Sequence, residues 1–562
     1  MVDATLSLNR DNLASDSSAI DFYHYTGKHK GILSWLLTTD HKRIGLMYLC
    51  AMMVFFLVAM TLGVLMRLEM LSPENTIMKP QTYNSIFTLH GVIMIFLFII
   101  PGVPAVFGNF FLPIQIGAKD VAFPRLNLLS WYLYMGGGLF AIISLFTGGG
   151  AADTGWTFYV PYSIRSSANV SMTTFAAFVL GFASILTGLN FITTIHRLRA
   201  PGMTWFRMPL FVWGLYATAW IQLLATPVIG ITLLLIILER AFGIGIFDPA
   251  LGGDPLLYQH MFWIYSHPAV YIMVLPAMGV VSEIIPTFAR KDIFGYKQIA
   301  LSSLAIALIG YLVWGHHMFT SGISNTSRII FSLLTFLVAI PTGVKVFNWV
   351  ATLYKGSIEV KVPMIFAMAF IFIFSIGGLT GLVQGALPTD IHLTDTYFIV
   401  GHFHYVMFGG MGTVFFGALH YWFPKMFGKM YNQKVATIAV TIFVIGFNMF
   451  YFTMFILGYE GMPRRYYSYL PQYHSLHVFA TVGSWVMVTG LVLMIANLVR
   501  GLIAGEKATM NPWGGTTLEW RVPSPPPVEN FEEIPLVVGG PYIHDRETYI
   551  MHPDKEQKKE SE

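Results

Sequence analysis

Apolar stretches of about 20 residues or more recur along the whole chain, each long enough to cross the ~30 Å hydrocarbon core of a bilayer. About twelve can be placed, near residues 44–66, 86–112, 129–147, 170–194, 208–238, 256–287, 297–315, 329–353, 363–384, 397–423, 436–458 and 474–500. Several are longer than the core needs, so they should tilt or extend past it. Lipid offers no partner to a free backbone N–H or C=O, so every span must be a helix. The expected fold is therefore an all-α integral membrane protein of about twelve transmembrane helices. Composition agrees: 55% of residues are hydrophobic and 11% charged, against roughly 25% charged in soluble domains. Mean hydropathy is +0.62. A net charge of +4 gives no sign of a nucleic-acid partner; the solvent of this chain is lipid.

Three regions follow. Residues 1–40 are polar and lack the basic, then apolar, then small pattern of a cleavable signal peptide. Residues 41–504 hold the spans. Residues 505–562 are polar and proline-rich, with the run Val522-Pro-Ser-Pro-Pro-Pro-Val528, and read as an extended tail outside the bilayer. Loop charge gives the orientation. One set of loops carries Lys119 and Arg125; Arg197, Arg199 and Arg207; Arg290, Lys291 and Lys297; Lys355 and Lys361; Lys425, Lys429 and Lys434. That set, and with an even number of spans both termini, should be cytoplasmic. The pair Arg464-Arg465 falls on the opposite side and needs a local anionic partner.

Cys50 is the only cysteine. Disulfides, thiolate zinc sites, iron–sulfur clusters and covalently attached c-type haem are thereby excluded from this chain. Histidine and oxygen ligands remain, and imidazole suits haem iron and copper. His90, His267, His316, His317, His402 and His404 all lie within hydrophobic segments. An intramembrane imidazole is costly and points to function. His402 and His404, two apart on one helix, point to opposite faces, so one helix could ligate a haem on each side. His267 and Tyr271, at i and i+4, share a face. The adjacent His316 and His317 could converge on one ion, and three imidazoles with an open position suit copper. Lys345 is a second costly group within a span.

Four motifs then occur in order, each on its own span: His267-Pro-Ala-Val-Tyr271, Trp314-Gly-His-His-Met-Phe-Thr320, Pro341-Thr-Gly-Val-Lys345 and Gly401-His-Phe-His-Tyr-Val-Met407. With them the chain, from about Thr39 to Arg500, resembles subunit I of the haem-copper oxygen reductases of the cytochrome c oxidase type. The resemblance implies that His90 and His404 are the axial pair of a low-spin haem and His402 the ligand of a high-spin haem that binds dioxygen. Haem A is the expected type. His267, His316 and His317 would hold the copper, with Tyr271 covalently joined to His267. Arg464 and Arg465 would pair with haem propionates, and Arg67 resembles an arginine beside the low-spin haem.

The resemblance also implies two proton routes. Lys345, Thr342 and Ser282 match a shorter one ending at Tyr271. A second would start at Asp120 and continue through Asn109, Asn127 and Asn190, with Ser184 a further candidate. Many relatives carry a glutamate two residues after the copper histidine; this chain has Ala269. Tyr265-Ser266 precedes His267 instead, as in the subgroup written Tyr-Ser-His-Pro-x-Val-Tyr, in which tyrosine and serine are thought to replace that carboxylate. A magnesium site that often uses His-Asp would here keep Asp395 beside Thr394, with His392 as a substitute imidazole.

The implied activity is four-electron reduction of dioxygen to water, coupled to proton translocation, with cytochrome c or a similar carrier as donor. A subunit II must carry the dinuclear copper entry site, and a subunit III and lipid are further partners. The expected location is a bacterial inner membrane. A quinol-oxidising relative is the alternative, but Val58, Leu62, Thr82 and Ser85 offer no charge or imidazole for a quinol. Nitric oxide reductases usually lack the counterparts of Tyr271 and Lys345. A haem-free transporter with buried histidines is the reading from a different class, separated by the optical spectrum.

Overall fold

The computed structural model describes residues 21–24, 29–74, 76–147 and 149–553, so most of the polar N-terminal segment and the last nine residues lie outside the described residues. Among the described residues, eleven helices are long and apolar enough to cross a membrane. They are α1 His41–Glu69, α2 Pro80–Gln115, α3 Pro124–Ile143, α4 Val170–Arg197, α5 Leu210–Phe242, α6 Pro255–Ala289, α8 Asn325–Leu353, α9 Val362–Gly385, α10 Tyr397–Phe427, α11 Gln433–Tyr459 and α12 Pro471–Ala504. A shorter apolar helix among the described residues is α7, Tyr296–Gly310.

Helix ends follow local chemistry. The Asp40 side chain accepts from the backbone N–H of Lys42 and Arg43 and starts α1. Asn169, Asp254 and Asn432 cap α4, α6 and α11 in the same way. Gly243 and Gly428 end α5 and α10 in the left-handed conformation that glycine adopts without strain.

The expected span at 297–315 differs most. At ~1.5 Å per residue α7 covers only about 22 Å. It stops at Gly310, and residues 311–324 complete the crossing as turns, including a 3-10 turn over Trp314–Met318 that holds His316 and His317. Span 329–353 is likewise two helical pieces that meet at Val338.

Wide π-helical turns interrupt two other spans: Ile93–Ile99 and Gly102–Gly108 in α2, and His404–Gly412 in α10. Such turns cluster at functional sites because they re-aim side chains. Both follow a site histidine here, His90 and His402.

α6 is the hub of the bundle. It packs along α5 and also meets α7, α8, α9 and α10, and its residues from Ile272 to Ala289 are all buried.

The tail is extended, as its prolines imply, and it packs across one end of the bundle. Trp513 Nε1 donates to the Tyr421 carbonyl (2.7 Å), and Trp520 Nε1 to the Tyr421 hydroxyl (3.0 Å). Tyr542 donates to Glu283 of α6 (2.6 Å). Leu536–Val537 and Tyr549–Ile550 form a small antiparallel strand pair.

Candidate functional site

One cavity of about 1100 Å³ runs past all six singled-out histidines, together with Tyr271, Thr342, Ser266, Arg67, Arg464, Arg465 and Asp395. It exceeds the roughly 300–1,000 Å³ of ordinary small-molecule sites.

His267 from α6 meets His316 and His317 from the turn after α7. His267 Nδ1 lies 3.1 Å from His317 Nε2, which lies 3.1 Å from His316 Nε2. Among the described residues this trio is the one cluster able to hold a metal ion, with its ligand atoms within 4.8 Å of one another. Its neighbours fix the rings. The Thr335 hydroxyl gives its proton to the Phe331 carbonyl (2.7 Å), so it can only accept from His316 Nδ1 (2.9 Å). His316 therefore presents a bare Nε2. Trp263 stacks on His317 at 3.8 Å. His267 Nε2 faces the Tyr271 hydroxyl at 2.9 Å, so the i, i+4 pair does share a face.

His90, His402 and His404 are held by the same device. His90 Nδ1 donates to the Ala59 carbonyl (2.8 Å), and His404 Nδ1 to the Val400 carbonyl (2.8 Å). Thr380 spends its proton on backbone carbonyls and accepts from His402 Nδ1 (3.1 Å). Each ring thus aims an unprotonated Nε2 into the cavity, the state a haem iron requires. Glycine lets neighbouring helices approach two of these rings. A Cβ at Gly63 would lie 3.2 Å from His90 Cε1, and one at Gly381 would lie 3.1 Å from His402 Cε1. His404 also stacks on Tyr451 at 4.3 Å. The residues fit two haems and a copper ion.

Cations line one rim. Arg67 donates to the His477 carbonyl (2.8 Å) and Thr481 (2.9 Å), and its Nε has no partner. Arg465 reaches Thr157 at 3.4 Å, and burial followed by the adjacent Arg464 lowers its pKa to about 10. Arg464 binds Asp395 through two nitrogens (2.6 and 3.0 Å). Asp390 stands at the same rim; burial, then Asp395, pushes its carboxyl up to about 7.

The residues of the two expected proton routes fall mainly outside the cavity. Lys345 donates to Ser303 of α7 (2.7 Å), not to Thr342 or Ser282. Thr342 turns back to the Val338 carbonyl (2.8 Å), while Ser282 bonds the Met278 carbonyl and accepts from Trp349. Asp120 lies in the loop before α3, where burial raises its carboxyl from 3.8 to about 7. Asn190 bonds both backbone groups of Phe123. Asn109 Oδ1, both amide atoms of Asn127, Ser184 Oγ and Ser266 Oγ are buried without a protein partner. Tyr265 is buried on α6 beside Ser266.

Thr335, Thr380, Ser303, Trp263, Gly63 and Gly381 escape sequence reasoning. Each acts on a residue of another helix, and spacing along one helix carries no signal of that.

Residues 43–486 match the family described as cytochrome C and quinol oxidase polypeptide I. Relatives named cytochrome c oxidase subunit 1 include those of Synechocystis sp., 44% identical and covering 92% of this chain and 93% of the relative, and of Bacillus subtilis, 40% identical and covering 91% and 83%. A structure titled as a heme-copper terminal oxidase dimer superposes with a TM-score of 0.68 at 23% identity, over 84% of this chain and 85% of the other. A histidine set from separate helices, aimed into one cavity, and similarity over nearly the whole length lead to the same place: this chain belongs to the cytochrome c and quinol oxidase polypeptide I family, as subunit I of a haem-copper oxidase.

Proposed function

We propose that this chain reduces dioxygen to water as the catalytic subunit of a respiratory terminal oxidase, taking electrons that originate from cytochrome c or a similar carrier and translocating protons. The single observation that carries this reading is the convergence of His267, His316 and His317 across one cavity from His402. Bound there, two haems and a copper ion supply electron storage and dioxygen binding.

The chain's own residues then have distinct work. His90 and His404 would ligate one haem and His402 the other, from opposite faces of α10. The held Nδ1–H groups keep all these rings neutral and oriented. Tyr271 places a phenolic proton at the copper histidine, on the cavity wall. A covalent link to His267 would fix it there. Arg464 and Arg465 offer charge to propionates, and Arg67 offers an unpaired N–H to the low-spin haem.

Each electron that enters this low-dielectric site favours uptake of a proton. Lys345, with Ser303, Thr342 and Ser282, would deliver protons to Tyr271. Asp120 would admit others, passed by Asn109, Asn127, Asn190 and Ser184 to Tyr265 and Ser266. The haem type is proposed to be haem A. A magnesium ion at Asp395 would have to share that carboxylate with Arg464. A cysteine-free ligand set leaves the dinuclear copper entry site to a subunit II, and a subunit III is a further proposed partner. By the basic loop set, the Asp120 end and both termini would face the bacterial cytoplasm.

Pyridine haemochrome analysis with metal quantitation on the purified complex tests this. Two haems and one copper per chain, beyond any copper on a partner subunit, are expected. A dithionite-reduced spectrum without haem bands would defeat the reading and favour a transporter. His404→Ala should abolish the low-spin spectrum while carbon monoxide still binds the other haem.

A further inference from the structure

A carboxyl and an ammonium stand within each other's field in the loop region before α3 and do not pair. Asp120 and Lys42 each feel the other's charge, yet the ion pair that Lys42 makes is with Asp40 (3.2 Å). Among the described residues Asp120 accepts one hydrogen bond, from the Val121 N–H (2.6 Å). A partly desolvated carboxylate is stabilised by a cation in contact with it, so something must hold these two apart.

The tail holds them. Asn530 is 1% exposed, and its backbone is left-handed at φ 64°, a conformation asparagine adopts more readily than most residues. Lys42 is fully buried. Its N–H groups go to the Val528 carbonyl (2.8 Å), to Asn530 Oδ1 (2.9 Å) and to Asp40. An ammonium has three donors, so none is left for Asp120. The Asn530 amide nitrogen donates to the carbonyls of Ala118 (2.9 Å) and Lys119 (3.1 Å), the two residues before Asp120. It also meets His41 Nε2 at 2.9 Å. His41 Nδ1 donates to the Asn109 carbonyl (2.7 Å), so in the neutral ring Nε2 accepts.

The loop is gripped from its other side as well. The Ala122 N–H donates to Thr194 and the Phe123 N–H to Asn190, both at 2.9 Å and both on α4. Asp120 and Val121 are thus the link between a tail anchor and an α4 anchor. Gly117 lets the tail come this close: its φ is 75°, and a Cβ there would lie 3.2 Å from Pro535. The surface pair Lys119–Glu529 adds little, because its side chains are 48% and 68% exposed.

We propose that the tail turn Val528–Asn530 is a clasp that ties the Lys42 ammonium back and pins the Asp120 loop, so that the Asp120 carboxyl stays unpaired and free to exchange protons. Asn530 is a positioning residue: it acts through Lys42 and the loop and carries no proton itself. The charged groups whose fields reach Asp120 are Asp40 and Lys42. Asp40 is fixed as the cap of α1, so Lys42, on its flexible four-carbon stem, is the one that can move. With the clasp open, Lys42 gains a free N–H beside an unpaired carboxylate. The inference deepens the reading of Asp120 as a proton entry and rests on it for its role.

The test uses the intact oxidase complex and Asn530→Gly, which removes the side chain and keeps the left-handed turn without strain. Infrared titration reads the Asp120 carboxyl directly, its band assigned by its loss in Asp120→Asn. The native midpoint should lie near 7. In Asn530→Gly, with native haem bands and copper content, it should fall by about one to three pH units, the shift that an adjacent cation gives a carboxyl. Adding Lys42→Met should return it to the native value or above. A loop that had merely loosened would admit water and keep the low midpoint with or without Lys42. A native midpoint in Asn530→Gly, or a low one that persists in the double variant, overturns the proposal. A second measurement needs no variant: a cryo-EM map of the wild-type complex should show Lys42 on Val528 and Asn530, and one that shows it on Asp120 overturns the proposal. The entry reading fails separately, when proton uptake in the wild type does not follow the Asp120 midpoint while that midpoint still responds to Asn530→Gly.

Discussion

The two proposed proton routes differ in how their polar atoms are satisfied. Around Lys345 nearly every polar side chain is spoken for: Lys345 by Ser303, Thr342 by Val338, Ser282 by Met278 and Trp349. Inward from Asp120 the reverse holds. Asn109 Oδ1, both amide atoms of Asn127, Ser184 Oγ and Ser266 Oγ lack protein partners. Unmatched buried polar atoms need water, and matched ones exclude it. As proposed, the Asp120 route would be a wet path through fixed side chains, and the Lys345 route a closed one that a proton crosses only when the lysine's long stem moves.

The largest expected effect follows from the closed route having one carrier. Lys345→Met should slow oxygen consumption by roughly 100-fold, the usual contribution of a single positioned proton donor, with haem spectra unchanged. An oxygen electrode reading near the native rate would show that the closed route has a bypass.

Asp120→Asn should cost less, about tenfold in coupled proton uptake, because the waters beyond it remain. Its signature is pH. Burial raises this carboxyl from 3.8 to about 7, so the folded chain holds the proton more tightly than the unfolded one. Its contribution to stability is present below about pH 4 and is lost as pH rises through about 7. In the native protein, uptake should change slope near pH 7; in the asparagine variant the inflection should vanish. An inflection that survives would move the wet entrance elsewhere.

Ser303→Ala sharpens the contrast from the closed side. It removes the hydrogen bond that holds Lys345, worth about 1 kcal/mol, so the freed stem should raise the rate of Tyr271 reprotonation by up to roughly fivefold. Flow-flash kinetics would read it, and an unchanged rate would mean that Lys345 already works away from Ser303.

What the sequence made legible follows the same division. Intramembrane imidazoles and Lys345 stand out because lipid makes them costly, whatever they touch. Part of their grouping was readable too, since His267 and Tyr271 sit on one helix and His316 and His317 are neighbours. What holds them was not. Thr335, Thr380 and Ser303 look like ordinary helix hydroxyls until a second helix is placed beside them. The short α7 was hidden because Tyr311 to Trp314 stay apolar after the helix stops, so hydropathy runs on into the turn that carries His316 and His317. The tail's prolines announced an extended chain, but Glu519 becomes a buried acceptor for Gln115 only across the fold.

Thr342 sets the lower limit. It lies on the cavity wall and on the same helix as Lys345, so position alone would make it a relay. Its hydroxyl proton, however, is given to Val338, and a hydroxyl bound back to its own helix must break that bond before it can pass a proton on. Thr342→Val keeps the shape and removes only this hydroxyl, so turnover should stay within about twofold of native if the lysine carries the proton itself. A loss approaching that of Lys345→Met would mean that the closed route also holds water at its upper end, and the contrast between the two routes would shrink to their entrances.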